Sequence, residues 1–208
     1  MEWENVDRIP CDPQALIGYG GDAHRRSKGN CLYCGFGTLR TADPELKFDI
    51  WRNLTLEHVV PECNGQLEAN IDQAIQNLPM ATQEGLKRRI KSLNEVTACH
   101  VCNTFAGRCE TEGPISEAVQ AFYDRLQHPI ADETWLPQVA QSIQGVWQLK
   151  SKRVRGKVLW LRENFRCNIG PELDTFLPAQ RTGPTPEDLD EVFRSIQDRI
   201  LSGLGAPD

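Results

Sequence analysis

Apolar positions recur at helical spacing through most of this chain, and the one clear exception lies near its middle. Leu67, Ile71, Ile75 and Leu78 repeat every three or four residues within a polar stretch, 62–93. That period predicts a helix, and a second short helix through Leu86, Ile90 and Leu93, with Thr82 as its cap. Further on, Ile115, Val119, Phe122 and Leu126 define one helical face. Trp135, Leu136, Val139, Ile143 and Val146 define another, and Val154, Val158, Leu161 and Phe165 a third. The last two read as one long helix with Gly145 and Gly156 inside it. Thr185-Pro186-Glu187-Asp188 is a strong helix start, with a cap, an N1 proline and early acids that suit the helix dipole. Leu189, Val192, Phe193, Ile196 and Ile200 follow as its stripe.

Around residues 51–60 the pattern changes to a mixture of Trp, Leu, Thr and Val, which suits a strand over 54–59 ended by Pro61. Residues 1–21 read as irregular, 22–28 as a short helix capped by Asp22, 38–50 as a polar loop and 170–184 as a linker containing Pro and Gly. A helix beginning near Cys102 or Asn103 would close a small strand–strand–helix unit.

Length and composition narrow the class. The chain has 208 residues, 39% of them hydrophobic, enough for one good-sized core or a small module beside a helical domain. No apolar run approaches the roughly 18 residues of a membrane span. The acidic start Met1-Glu2-Trp3-Glu4 lacks the features of a signal peptide, so a cytoplasmic protein is expected. The net charge of -6 argues against a generic nucleic-acid coating protein. Charge is nevertheless polarised. Trp147 to Arg166 holds seven basic residues and one acid, whereas Cys167 to Asp208 holds eight acids and three basic residues.

The eight cysteines are not arranged as a disulfide framework. Cys31/Cys34 and Cys99/Cys102 form two C-x2-C pairs, the usual grip on one zinc ion, with 64 residues between the pairs. Loop entropy grows slowly with length, so the separation does not prevent closure. Gly35 after the second cysteine lets the backbone turn toward the metal-bound sulfurs. Cys11, Cys63, Cys109 and Cys167 are isolated and read first as small buried side chains. Cys63, Cys109 or His100 are alternative fourth ligands.

Between the pairs lies Leu56-Glu57-His58-Val59-Val60-Pro61, and the second pair runs directly into Asn103. Phosphodiester hydrolysis needs a base for water, and neutral histidine suits that task. It also needs charge neutralisation, which a hard divalent ion on carboxylate and amide oxygens supplies. Neighbouring strand residues point to opposite faces, so Glu57 and His58 would share a site only if the strand is twisted or the module very small.

With Asn94-Glu-Val-Thr-Ala-Cys99-His-Val-Cys102-Asn103, these segments resemble the HNH (ββα-metal) nucleases of the zinc-containing type. The resemblance covers about residues 22–108 and matches at eight positions: the four cysteines, Glu57, His58, Asn94 and Asn103. It implies an α+β fold: a small zinc-stabilised ββα-metal module over 22–110, with a helical insertion at 62–93, followed by a mainly helical C-terminal region over 111–208. It further implies His58 as general base, Glu57 and Asn103 as ligands of one Mg2+ or Mn2+, and Asn94 as a brace that orients the histidine. The structural ion would be Zn2+ on the four cysteines. Glu57 stands where aspartate is usual, and the segment between His58 and Asn94 is longer than usual.

The expected activity is DNA endonuclease, with restriction or anti-phage defence as a setting suggested by the family alone. Candidate phosphate contacts are Arg25, Arg26 and Lys28, and the basic run Lys150, Lys152, Arg153, Arg155, Lys157, Arg162 and Arg166. The competing reading of that run is pairing with the protein's own acids. Trp135, Trp147 and Trp160 read as core or interface residues. A protein partner that targets or activates the enzyme, and a homo-oligomer, are compatible with this reading; a membrane is not. Two other classes stay open: a catalytically inactive zinc module that binds nucleic acid or protein, and an RNA-directed nuclease.

Overall fold

The computed structural model describes residues 21–37, 53–62, 65–127, 134–169 and 185–203. The expected irregular N-terminus, the 38–50 loop and the 170–184 linker lie outside them, apart from Gly21. The fold is α+β and mainly helical. Its elements in order are α1 (Gly21–Arg26), β1 (Leu54–His58), α2 (Gln66–Ile75), α3 (Met80–Asn94), β2 (Glu95–Cys99), α4 (His100–Cys109), α5 (Gly113–Gln127), α6 (Trp135–Ile169) and α7 (Pro186–Leu201).

β1 and β2 pair antiparallel, with Leu54 opposite Cys99, Leu56 opposite Thr97 and His58 opposite Glu95. Opposed residues share a face and successive ones alternate. Thr97 Oγ1 is hydrogen-bonded to His24 Nδ1 of α1 (2.9 Å) and accepts from Ser27 Oγ of the following turn (2.8 Å). Leu56/Thr97 and His58/Glu95 therefore face α1. Thr55 and Glu57 face the other way, toward α4, whose Asn103 donates to Thr55 Oγ1 at 2.8 Å.

The first cysteine pair forms a tight knuckle. Cys31 N–H donates to Phe36 O (2.7 Å) and Gly35 N–H to Cys31 O (2.8 Å). Gly35 adopts φ 68°, a region that favours glycine. Leu32 N–H donates to Thr97 O at 2.9 Å, which ties the knuckle to β2. At Gly37 the chain passes so close to Gly29 and Asn30 that a Cβ would collide with Asn30 Oδ1 and Gly29 O.

Several local expectations shift. Asp22 is not a cap: α1 starts at Gly21, and Asp22 in its first turn pairs with Arg25 at 2.6 Å. The 62–93 insertion is two helices, as expected, but their ends differ. The first stops at Ile75, so Leu78 lies beyond it, in the connection before Pro79, because the residue before proline disfavours helix. Pro79 takes the N-cap position of α3, and Thr82 lies inside the helix without capping it. α4 begins at His100, which places Cys102 and Asn103 in its first turn.

One buried cluster spans both sides of residue 110. It includes Tyr33 of the knuckle, Val59 and Val60 after β1, Ile71 and Ile90 of the insertion, Phe122 of α5 and Trp147 of α6. α6 is a single helix of 35 residues, about 50 Å long, and carries Gly145 and Gly156 within it as expected. Trp147 stacks on Phe193 of α7 (centroids 4.4 Å apart) and meets Tyr33 at 4.7 Å. Trp135 is buried, whereas Trp160 is 63% exposed. Thr185 caps α7 through a reciprocal capping box with Asp188. On its apolar stripe Leu189, Phe193 and Ile200 are buried, but Val192 is exposed. The far end of α7 is held by Arg89 of α3, whose guanidinium donates to Ile200 O (3.1 Å) and to Leu201 O. Among the described residues no helix is long and apolar enough to cross a membrane.

Candidate metal centre and the His58 face

The knuckle and the β2–α4 junction bring four sulfurs together. The Sγ atoms of Cys31, Cys34, Cys99 and Cys102 all lie within 4.8 Å of one another, and Cys34 and Cys99 are 3.9 Å apart. An ion about 2.3 Å from each sulfur of a tetrahedron would hold them about 3.8 Å apart, so this set could hold one metal ion. A disulfide needs about 2.05 Å, and all four cysteines are free. Crowding splits their acidities. Hydrogen bonds from Cys102 hold Cys34 and Cys99 low, whereas burial pushes Cys31 up and hydrogen bonding with Cys31 pushes Cys102 up. The alternative ligands are placed elsewhere. His100 is exposed, and Cys109 is buried and donates to Ala106 O at 3.2 Å. Cys63 and Cys11, and the Cys167 side chain, lie outside the described residues.

His58 closes β1 with its side chain about 30% exposed, and its Nε2 lies 3.5 Å from Glu62 Oε1. Opposite it, Glu95 is raised by burial and lowered in part by Arg26, whose Nη2 is 3.8 Å from the carboxylate. Asn94, fully buried, clamps the chain just past His58. Its Oδ1 accepts from Val60 N–H (2.7 Å) and its Nδ2 donates to Val60 O (2.9 Å). Its own carbonyl accepts from Val59 N–H at 2.9 Å. The backbone beside the histidine is thus held by three hydrogen bonds from one residue.

Glu57 points to the opposite face. It is 5% exposed, and its Oε1 lies 2.7 Å from Lys150 Nζ of α6. Lys150 is fully buried, so it is no phosphate contact. Its ammonium also donates to Val59 O (3.0 Å), Glu110 Oε1 (3.0 Å) and His58 O (3.1 Å). Burial raises the Glu57 carboxyl and the Lys150 charge pulls it back down. Asn103 commits its amide nitrogen to Thr55 Oγ1 and to Leu56 O (3.2 Å). A Mg2+ or Mn2+ ion on Glu57 and Asn103 does not fit this arrangement. The carboxylate is sealed from solvent, already neutralised by an ammonium, and faces away from His58.

Sequence periodicity holds a signal for the burial of Lys150. Ile143, Val146, Trp147, Lys150 and Val154 form one helical stripe, and every member is buried. A lysine on such a stripe is a buried, paired cation far more readily than a surface contact.

The rest of the basic run is largely paired within the protein. Arg153 Nε lies 2.7 Å and Lys157 Nζ 3.5 Å from Glu112. Arg155 binds Asp190 of α7 at 3.0 Å and the Tyr33 carbonyl at 3.0 Å. Lys152 is exposed. The side chains of Arg162 and Arg166 lie outside the described residues. On α1, Arg25 is exposed and paired with Asp22, and Arg26 also donates to Ser92 O at 3.3 Å; in the turn that follows, Lys28 is exposed.

Comparison of the chain with protein-family models, with curated proteins and with solved structures gives no match.

Proposed function

We propose that the protein is an HNH-type DNA endonuclease in which His58 is the general base and the four cysteines hold a structural Zn2+. One arrangement carries this reading: a half-exposed histidine at the end of the first strand of a strand–strand–helix unit. The four-cysteine cluster closes that unit, and a buried asparagine braces its backbone. Zinc suits four thiolates with no open position, and in so small a sheet it contributes folding energy directly. Neutral His58 takes the proton of the attacking water. Glu62, 3.5 Å away, stabilises the imidazolium that results. Arg25 and Lys28 are exposed on α1 and the turn after it and are suited to receive phosphates, whereas Arg26 is committed to Glu95 and Ser92 O.

A second reading, a zinc module that binds nucleic acid or a protein without cleaving it, is favoured by one observation: Glu57 is bound to Lys150 rather than open to an ion. Nicking of supercoiled plasmid by the zinc-loaded protein, with Mg2+, with Mn2+ and with EDTA, separates the two. His58→Ala is expected to abolish nicking while leaving the fold intact. A folded His58→Ala protein that cleaves at the wild-type rate would remove His58 as the base. DNA binding without cleavage under every condition would favour the binding module, and cleavage of RNA alone would reassign the substrate.

A further inference from the structure

The ammonium of Lys150 sits in a cage of four oxygens: the carboxylates of Glu57 and Glu110 and the carbonyls of His58 and Val59, all between 2.7 and 3.1 Å from Nζ. Two carboxylates and two carbonyls around one buried point are a donor set that a hard divalent cation would accept. Here a lysine delivered by α6 fills the centre. We propose that Lys150 is the resident cation of this module. It occupies the position that would otherwise draw Mg2+ or Mn2+ to Glu57, and it acts as a positioning residue for His58 through the His58 carbonyl.

First, the ammonium is part of the fold, tethered on a helix whose neighbours Trp147 and Val154 are buried, so it competes with a dissolved ion at very high effective concentration. Second, a divalent ion entering the cage would meet a positive charge at its centre, and Lys150 and Glu57 are both buried, so only the Glu110 side of the cage reaches solvent. Third, an ammonium has three protons, and four acceptors within reach leave none of them unused. Two acceptors are backbone carbonyls at the end of β1. The same cation that neutralises Glu57 therefore fixes the chain at and just past His58, on the side opposite the imidazole. The cage carries one formal positive charge against two negative ones. Removing the ammonium leaves the buried Glu57 carboxylate and the partly buried Glu110 carboxylate with no counter-ion, a strong demand for any cation that fits.

This inference deepens the nuclease reading through the His58 carbonyl, but its test does not depend on cleavage. Mn2+ binding to the zinc-loaded full-length chain is measured by the loss of the free-ion paramagnetic resonance signal, for wild type, Glu57→Gln and Lys150→Ala. Wild type and Glu57→Gln are expected to bind Mn2+ alike, within about twofold. Lys150→Ala is expected to gain a site tighter by about tenfold or more, and to lose it again when Glu57→Gln is added. A lysine that was only a tether would not predict that gain. A wild-type Mn2+ site that disappears in Glu57→Gln overturns the proposal. So does a folded Lys150→Ala protein that gains no Mn2+ affinity. If Lys150→Ala folds neither alone nor with Mn2+, the wild-type and Glu57→Gln comparison decides. A protein that never cleaves DNA yet shows the Lys150→Ala gain refutes the nuclease reading and leaves this one standing.

Discussion

Replacing Asn94 with alanine tests how the backbone beside His58 is held. Asn94 and Val60 are both fully buried, and the asparagine amide satisfies both polar groups of the Val60 backbone, at 2.7 and 2.9 Å. Alanine leaves a buried N–H and a buried C=O without partners. Each orphaned group costs about 1–3 kcal/mol, so the pair should cost about 2–6 kcal/mol. That is a large share of the roughly 5–15 kcal/mol that holds a typical domain. For a chain of this size 3 kcal/mol corresponds to a fall in Tm of about 6–12 °C. Asn94→Asp is the sharper variant. Its carboxylate still accepts from Val60 N–H but sets a second oxygen against Val60 O, so it should lose at least as much stability as alanine. Urea unfolding of the zinc-loaded protein, followed by circular dichroism, measures both. A loss below about 0.5 kcal/mol for Asn94→Ala, with an unchanged m value, would refute the bracing role.

Two further outcomes follow from the same structure. Cys102→Ser removes one of four clustered sulfurs; it should abolish zinc binding and unfold the two-stranded unit, read as zinc stoichiometry beside circular dichroism, and a folded metal-free variant would show that the cluster is not needed for folding. His24 is buried against Thr97, and burial, helped by Arg26, lowers its pKa to about 4. A histidine depressed in this way contributes fully above its unfolded value of about 6.5 and loses that contribution as pH falls toward 4, about 3 kcal/mol in all. The stability of wild type should therefore drop relative to His24→Gln across that window, and parallel pH curves for the two proteins would contradict the assignment.

Local features were legible in the chain itself. The two C-x2-C pairs announced a four-sulfur cluster that could hold a metal ion because each pair is short enough to make its own knuckle, and Gly35 supplies the positive φ that the turn requires. Thr185-Pro186-Glu187-Asp188 announced a capped helix because a capping box needs only residues three apart. The strand at 54–58, the long helix through Gly145 and Gly156, and the burial of Cys109 follow from periodicity and side-chain size.

Tertiary structure decided the rest. Whether Glu57 and His58 share a site depends on which helix covers each face of the sheet, and that is set by the packing of α1 and α4 rather than by any neighbouring residue. The role of Lys150 was decided by the rotation of α6, which turns one member of a basic run inward, onto carboxylates 93 and 40 residues away in sequence. Arg155 meets Asp190, and Arg89 meets the end of α7, only because α7 docks across α3 and α6. Charge along a chain is a one-dimensional quantity, and the partner of a buried charge is chosen in three dimensions.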